Sequence, residues 1–372
     1  MSAELALVTG YPRAVARLIA RELLRTEGQR VALVVRSRDL DLAREFIASL
    51  GEDSGRVELL EGDVTAIDLG LSGAEFNGLA RRVTAVYHAA QWPHEASDAA
   101  ALRAMNVQGT REAVALVRAA KETGRAAPRL VALSSTLVAG DHRGAFREGD
   151  LDVGQSFRSE VEASLFRAEA ILRRATDIPV TVVRPAVIVG HSETGEIDVL
   201  DGPYLFVLLL LNSPVDLKLP LPVGAEAAMQ LVPVDFVARA AVALGRSPRS
   251  IGRTFHVVDP SPLSSRRLFD LVARAAGRRP PGGFVPVQLT RTVLRAPGVE
   301  GLMRSPRAFF DRLASRASFP STAREILGPA GVECPPFERY VDALVDYVRA
   351  RMERRREPTA PRAEGDVEDP LA

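Results

Sequence analysis

Lysine and cysteine are almost missing from this 372-residue chain, and tyrosine is sparse. Lys121 and Lys218 are the only lysines, so arginine carries nearly all the positive charge. Chemistry that needs an ammonium group must therefore draw on one of two positions. The single cysteine, Cys334, excludes an intramolecular disulfide and a thiolate zinc cluster. It stands between Glu333 and Pro335 and reads as structural rather than nucleophilic. Such cysteine usage suits a reducing, cytoplasmic compartment. Long apolar runs are also missing. The longest, 205–211, falls far short of the roughly 20 residues a membrane span needs. It reads as a buried helix, with a lipid-lining helix as the alternative. Neither sign of charge dominates: the net charge of +1 gives no support for a nucleic-acid surface. No basic stretch followed by an apolar run and a small-residue cleavage site opens the chain. Residues 5–9 read instead as a first strand.

What is present is a regular alternation. Short apolar runs at 5–9, 31–35, 57–61, 85–88, 130–133 and 180–183 read as strands. Amphipathic segments at 13–25, 39–50, 97–124 and 155–176 read as helices. In the last of these, Phe157, Val161, Leu165, Ala168 and Leu172 recur at three- and four-residue spacing. Strands alternating with helices predict an α/β fold, a doubly wound parallel sheet covered on both faces. After Pro185 the rhythm breaks. A strand–helix pair at 231–244, a strand at 254–258 and helices at 262–277 and 337–354 follow. We read 1–190 as the main domain with 230–260 returning to it, 191–354 as a smaller substrate-type lobe, and 355–372 as a disordered tail.

The first strand-to-helix turn is Thr9-Gly10-Tyr11-Pro12-Arg13-Ala14-Val15-Ala16. In a Rossmann-type dinucleotide site this turn carries glycines, which let the backbone approach a pyrophosphate held on the helix N-terminus. Only Gly10 stands; Arg13 and Ala16 take the second and third glycine positions, and Pro12 removes an N–H donor. Arg13 either folds over the phosphates as a cation or occupies their space; the sequence favours a site that no longer binds dinucleotide tightly. Arg36 and Arg38 end the second strand, where no acid awaits a ribose 2′-hydroxyl. If a dinucleotide binds, this favours NADP. Asp63 and Val64 mark the adenine-side turn, and Ala89 and Ala90 would run backbone beside the cofactor.

In this order the pieces resemble an extended short-chain dehydrogenase/reductase, closest to the thioester reductases and fatty-acyl reductases with their male-sterility type of NAD-binding domain. The motifs are Leu7–Gly10, Gly62–Thr65, Val86–Ala90, Asn106–Thr110, Ser134–Gly140, Arg184–Gly190 and Val232–Asp235. The resemblance implies an active site of a Ser or Thr, a Tyr, and a Lys four residues after the Tyr. Ser135 matches the hydroxyl position. Ser164, Phe166, Ala168 and Glu169 set the register of the catalytic helix, which leaves Val161 at the Tyr position and Leu165 at the Lys position. No tyrosine lies between Tyr87 and Tyr204 to rescue the pair.

These losses favour a catalytically degenerate reductase-like protein that serves as a ligand-binding, sensing or protein-interaction scaffold. Its partner is then an unidentified small molecule or protein. The alternative is an NADP-dependent oxidoreductase acting on an acyl, thioester or other carbonyl substrate with altered catalytic residues. His142, after the Gly140-Asp141 turn, is the candidate substitute proton donor. The faces of the helices at 97–124 and 155–176 fit either a homodimer interface or one side of the sheet in a monomer.

Overall fold

The computed structural model describes residues 4–92, 98–200, 203–212, 221–222, 228–280, 282, 284–285 and 316–356. Seven parallel strands form one sheet: β1 (Leu5–Thr9), β2 (Arg30–Val35), β3 (Val57–Glu61), β4 (Val83–His88), β5 (Arg129–Leu133), β7 (Val180–Pro185) and β10 (Arg253–Val257). β6 (Arg143–Ala145), β8 (Val187–Val189) and β9 (Leu231–Pro233) lie outside it. The order β10-β7-β5-β4-β1-β2-β3 reverses direction between β1 and β4. That switch point opens a crevice at the carboxyl ends of the strands, where doubly wound sheets bind ligands.

The central strands are apolar without alternation because both faces are covered. β1 is buried at every position. On one face lie α1 (Ala14–Leu24), α2 (Leu40–Ala48) and α8 (Val234–Arg246). The other carries α3 (Gly73–Ala80), α4 (Ala99–Arg103), α5 (Gly109–Glu122) and α6 (Glu160–Arg174). Between α4 and α5 one π-turn, Ala104–Gln108, keeps the helix continuous. The smaller lobe has its own core, built from α7 (Tyr204–Asn212), α9 (Ser265–Ala275) and α10 (Val341–Arg356). The apolar run at 205–211 lies within α7, where Phe206 packs on Phe269 at 4.3 Å between ring centres. Among the described residues no helix is long and apolar enough to cross a membrane.

Two departures from the sequence reading have local causes. The helix read at 155–176 begins at Glu160, because the Ser159 side chain accepts from the Glu162 backbone N–H and caps it. Phe157 precedes the helix and packs on Phe166 instead. The sequence reading passes over α3, which a capping box sets: Ser72 and Glu75 each accept the other's backbone N–H. Of the tail read at 355–372, Arg355 and Arg356 instead complete α10, and 357–372 lie outside the described residues.

α6 is locked to the sheet by charge. Glu169 and Arg184 are both wholly buried and form a two-bond pair, Nε–Oε2 at 2.8 Å and Nη2–Oε1 at 2.6 Å. Ser134 donates to Glu169 at 2.7 Å, and Arg173 adds a second cation at 3.0 Å. Arg184 also donates to the Asp150 carbonyl at 2.5 Å. With one partner removed, the other stays charged in the core, which costs about 3–5 kcal/mol. Glu169→Ala should lower the unfolding free energy by that amount in urea titration; a loss under about 1 kcal/mol would mean the pair does not anchor α6.

His88 ends β4 inside the core, with Nδ1 2.9 Å from Thr9 Oγ1 and Nε2 3.4 Å from Thr110 Oγ1. Burial pushes its pKa down to about 4. The ring is neutral when folded but protonates near pH 6.5 when unfolded. Its contribution is complete above pH 6.5 and is lost as pH falls through about 4. Between pH 6.5 and 5 wild type should lose about 2 kcal/mol more than His88→Gln in urea melts. Equal slopes would place a solvated ring there.

Candidate functional site

The crevice is bounded by the turn after β1, the segment after β4, the turn after β5 and the 185–199 segment. Gly10 is fixed by geometry. Its φ is +98°, and an added Cβ would come within 2.4 Å of the Ala89 carbonyl oxygen. The first turn therefore packs directly on the backbone of Ala89 and Ala90.

Arg13 divides the crevice. It lines a compartment of about 70 Å³ with Gln91, Ser134, Ser135, Ala186 and Asp198, and one of about 30 Å³ with Gly10, Arg36, Asp63, Val64, Ala90 and Trp92. Its guanidinium donates to the Gln91 carbonyl and sits 4.8 Å from the Trp92 ring centre, a cation–π distance. Burial lowers its pKa, and the nearby Asp198 carboxylate opposes that shift.

The N-terminus of α1 already holds an anion. The Ala14 N–H donates to Asp198 Oδ2 at 2.7 Å, and Arg17 pairs with Asp198 at 3.3 Å and with Glu196 at 2.9 Å. Helix N-termini favour negative charge, and this is the position a pyrophosphate takes in a Rossmann turn. In the smaller compartment Arg36 pairs with Asp39 at 3.4 Å, and burial and then Arg38 lower its pKa. Asp63 accepts from the Thr65 N–H and hydroxyl, both at 2.8 Å. A dinucleotide's diphosphate does not fit here, because the Arg13 side chain lies between the two compartments and the N-terminus of α1 holds Asp198.

Ser135 lines the larger compartment, with its oxygen accepting from the Leu137 N–H at 3.2 Å. Neither Val161 nor Leu165 lines it. They are 2% and 0% exposed and belong to the core between α6 and the sheet. The helix is pinned there from its own side: Ser164 donates to the Val161 carbonyl and accepts from Asn106 at 2.9 Å. His142 does not line the compartment; its ring packs edge-on against Phe146 at 5.5 Å. Cys334 lies apart, its thiol pushed up to about 12 by burial.

Two residues escape the sequence reading. Gln91 directly follows the Ala89-Ala90 motif; it is 4% exposed and neither of its amide atoms has a partner. Its position next to the motif is a signal that could have found it. Asp198 reaches α1 across 184 residues from a stretch with no periodicity, so no local pattern reveals it.

Residues 8–241 match the family model described as male sterility protein. The chain is 32% identical over 220 residues to a glycine betaine reductase of Emericella nidulans, which covers 58% of this chain and 17% of that protein. It is 28% identical over 288 residues to a carboxylic acid reductase of Segniliparus rugosus, covering 68% of this chain and 24% of that one. It thus spans a quarter or less of the length of these relatives. Among solved structures, the terminal R domain of the myxalamid PKS-NRPS pathway superposes with a TM-score of 0.77 at 25% identity, covering 97% of this chain and 93% of that one. A UDP-glucuronic acid 4-epimerase of Bacillus cereus in complex with NAD shares the fold, with a TM-score of 0.66 at 16% identity over 94% of this chain and 98% of that one. Sequence, sheet order and crevice agree, and the chain belongs to the male sterility protein family of NAD-binding domains, an extended short-chain dehydrogenase/reductase of the thioester-reductase type.

Proposed function

We propose that this domain is a ligand-binding scaffold that has given up hydride transfer. The burial of Val161 and Leu165 carries the reading. Hydride delivered to a carbonyl leaves negative charge on oxygen, and a positioned acid must supply a proton. A phenol serves when a neighbouring cation lowers its pKa; a valine and a leucine can do neither. Among the described residues the compartment around Ser135 is lined by no tyrosine, lysine or histidine. Its polar lining is Arg13, Gln91, Ser134, Ser135 and Asp198, of which the unpaired Gln91 amide and the Ser135 hydroxyl can hold a polar ligand without reacting with it.

The alternative, an NADP-dependent reductase of acyl or thioester substrates, draws on relatives named as reductases and on the retained Gly10 turn and Ser135. It needs a proton donor and an open diphosphate site. Both readings meet one assay. Purified protein with NADPH and an aldehyde or acyl thioester should show no NADPH consumption above the protein-free rate. Turnover that Ser135→Ala abolishes would overturn the scaffold reading. A second measurement asks where position 165 faces. Leu165→Lys puts an unpaired ammonium in the core and should lower stability by at least about 3 kcal/mol. A neutral effect would mean that the position opens onto the cleft, as a catalytic lysine must.

A further inference from the structure

We propose that Asp198 is a resident anion: it takes the place of a dinucleotide's diphosphate on α1 and makes the crevice reject phosphorylated ligands. This deepens the scaffold reading and rests on it.

The contact is built rather than incidental. Asp198 Oδ2 accepts from the Ala14 N–H at 2.7 Å, and Oδ1 faces Arg17 at 3.3 Å. The strand of chain that carries it is held from behind by α10. Tyr347 Oη donates to the Ile197 carbonyl at 3.2 Å, and Arg351 reaches the Ile197 and Asp198 carbonyls at 3.1 and 3.4 Å. Gly195 allows the close approach: at φ +70° an added Cβ would lie 2.1 Å from the Ala343 carbonyl oxygen. The carboxylate is therefore pre-placed, 14% exposed, between two arginines and a helix N-terminus. Those groups would otherwise bind a phosphate by charge-assisted hydrogen bonds. The same compartment presents the buried Gln91 amide with no partner on either atom, which marks it as a place for a ligand. A neutral donor–acceptor group satisfies Gln91; a diphosphate must first expel Asp198.

The test is calorimetric titration of wild type, Asp198→Ala and Asp198→Asn with inorganic pyrophosphate and with NADPH. Fluorescence of Trp92, the sole tryptophan and a neighbour of Arg13, gives a second readout. Wild type should bind neither probe at millimolar concentration. Asp198→Ala should bind pyrophosphate at least about tenfold more tightly than wild type, a gain of about 1.4 kcal/mol. Asp198→Asn keeps the side-chain shape and an oxygen for Ala14 while losing the charge, so it should gain less. It also serves if the alanine variant fails to melt cooperatively. Glu196→Ala removes only the exposed half of the Arg17 contact and should behave as wild type. No gain in folded Asp198→Ala or Asp198→Asn overturns the proposal, and so does micromolar NADPH binding by wild type. Wild type that binds NADPH without oxidising it would overturn the resident anion alone. Oxidation of NADPH by wild type once an aldehyde or acyl thioester is added as hydride acceptor would remove the scaffold reading as well.

Discussion

The α6 side of the crevice takes its position from one wholly buried ion pair. Glu169 on α6 and Arg184 on β7 are desolvated, and desolvation of two charges is costly enough that their attraction alone does not guarantee a net gain. The cost is offset by the number of bonds. Ser134 and Arg173 complete the carboxylate, while the Asp150 carbonyl and the Phe146 ring face satisfy the guanidinium. Because the turn after β5, β7 and α6 all contribute, α6 cannot slide without breaking the pair. Val161, Leu165 and Glu169 are spaced four apart and so share one ridge. Fixing Glu169 therefore fixes the other two against the sheet, and their burial follows from an interaction that does not involve them.

The two altered parts of the crevice have a common physical character. Where a reductase of this type presents groups to an external ligand, this chain turns them onto itself. The Tyr and Lys positions pack into the core; the second glycine position carries an arginine committed to Gln91 and Trp92; the helix N-terminus accepts a carboxylate from the smaller lobe. These changes lie in three separate stretches of sequence. None disturbs the sheet, because the central strands are stabilised by burial on both faces and not by a bound cofactor.

How far all this was legible depended on whether the signal was local. The sheet was, since strands covered on both faces read as continuous apolar runs. The register of α6 was too, because Ser164, Phe166, Ala168 and Glu169 frame the empty positions. α3 is short and only weakly amphipathic, so periodicity missed it, although its Ser72–Glu75 box stood in plain sequence. The start of α6 was placed early because Phe157 continues the apolar spacing beyond a cap that periodicity ignores. Arg13 was visible at the second glycine position, but its partners were not. Trp92 and Gln91 belong to a different strand end, and Asp198 comes from the smaller lobe, so their meeting is a product of the tertiary fold.

That last contact explains why a crevice of this shape need not bind a phosphorylated ligand. A ligand from solution loses translational and rotational freedom when it binds. A side chain on the same molecule has already lost it, and acts at an effective concentration set by its tether, on the order of millimolar for short flexible links. The tether here is stiffer, since Tyr347 and Arg351 hold the backbone on either side of the Ile197–Asp198 peptide. An external phosphate must exceed that standing advantage before it gains anything from the helix terminus, Arg13 or Arg17. A neutral ligand reaching Gln91 meets no such competitor. The residue that closes the crevice to one class of compound thus leaves it open to another.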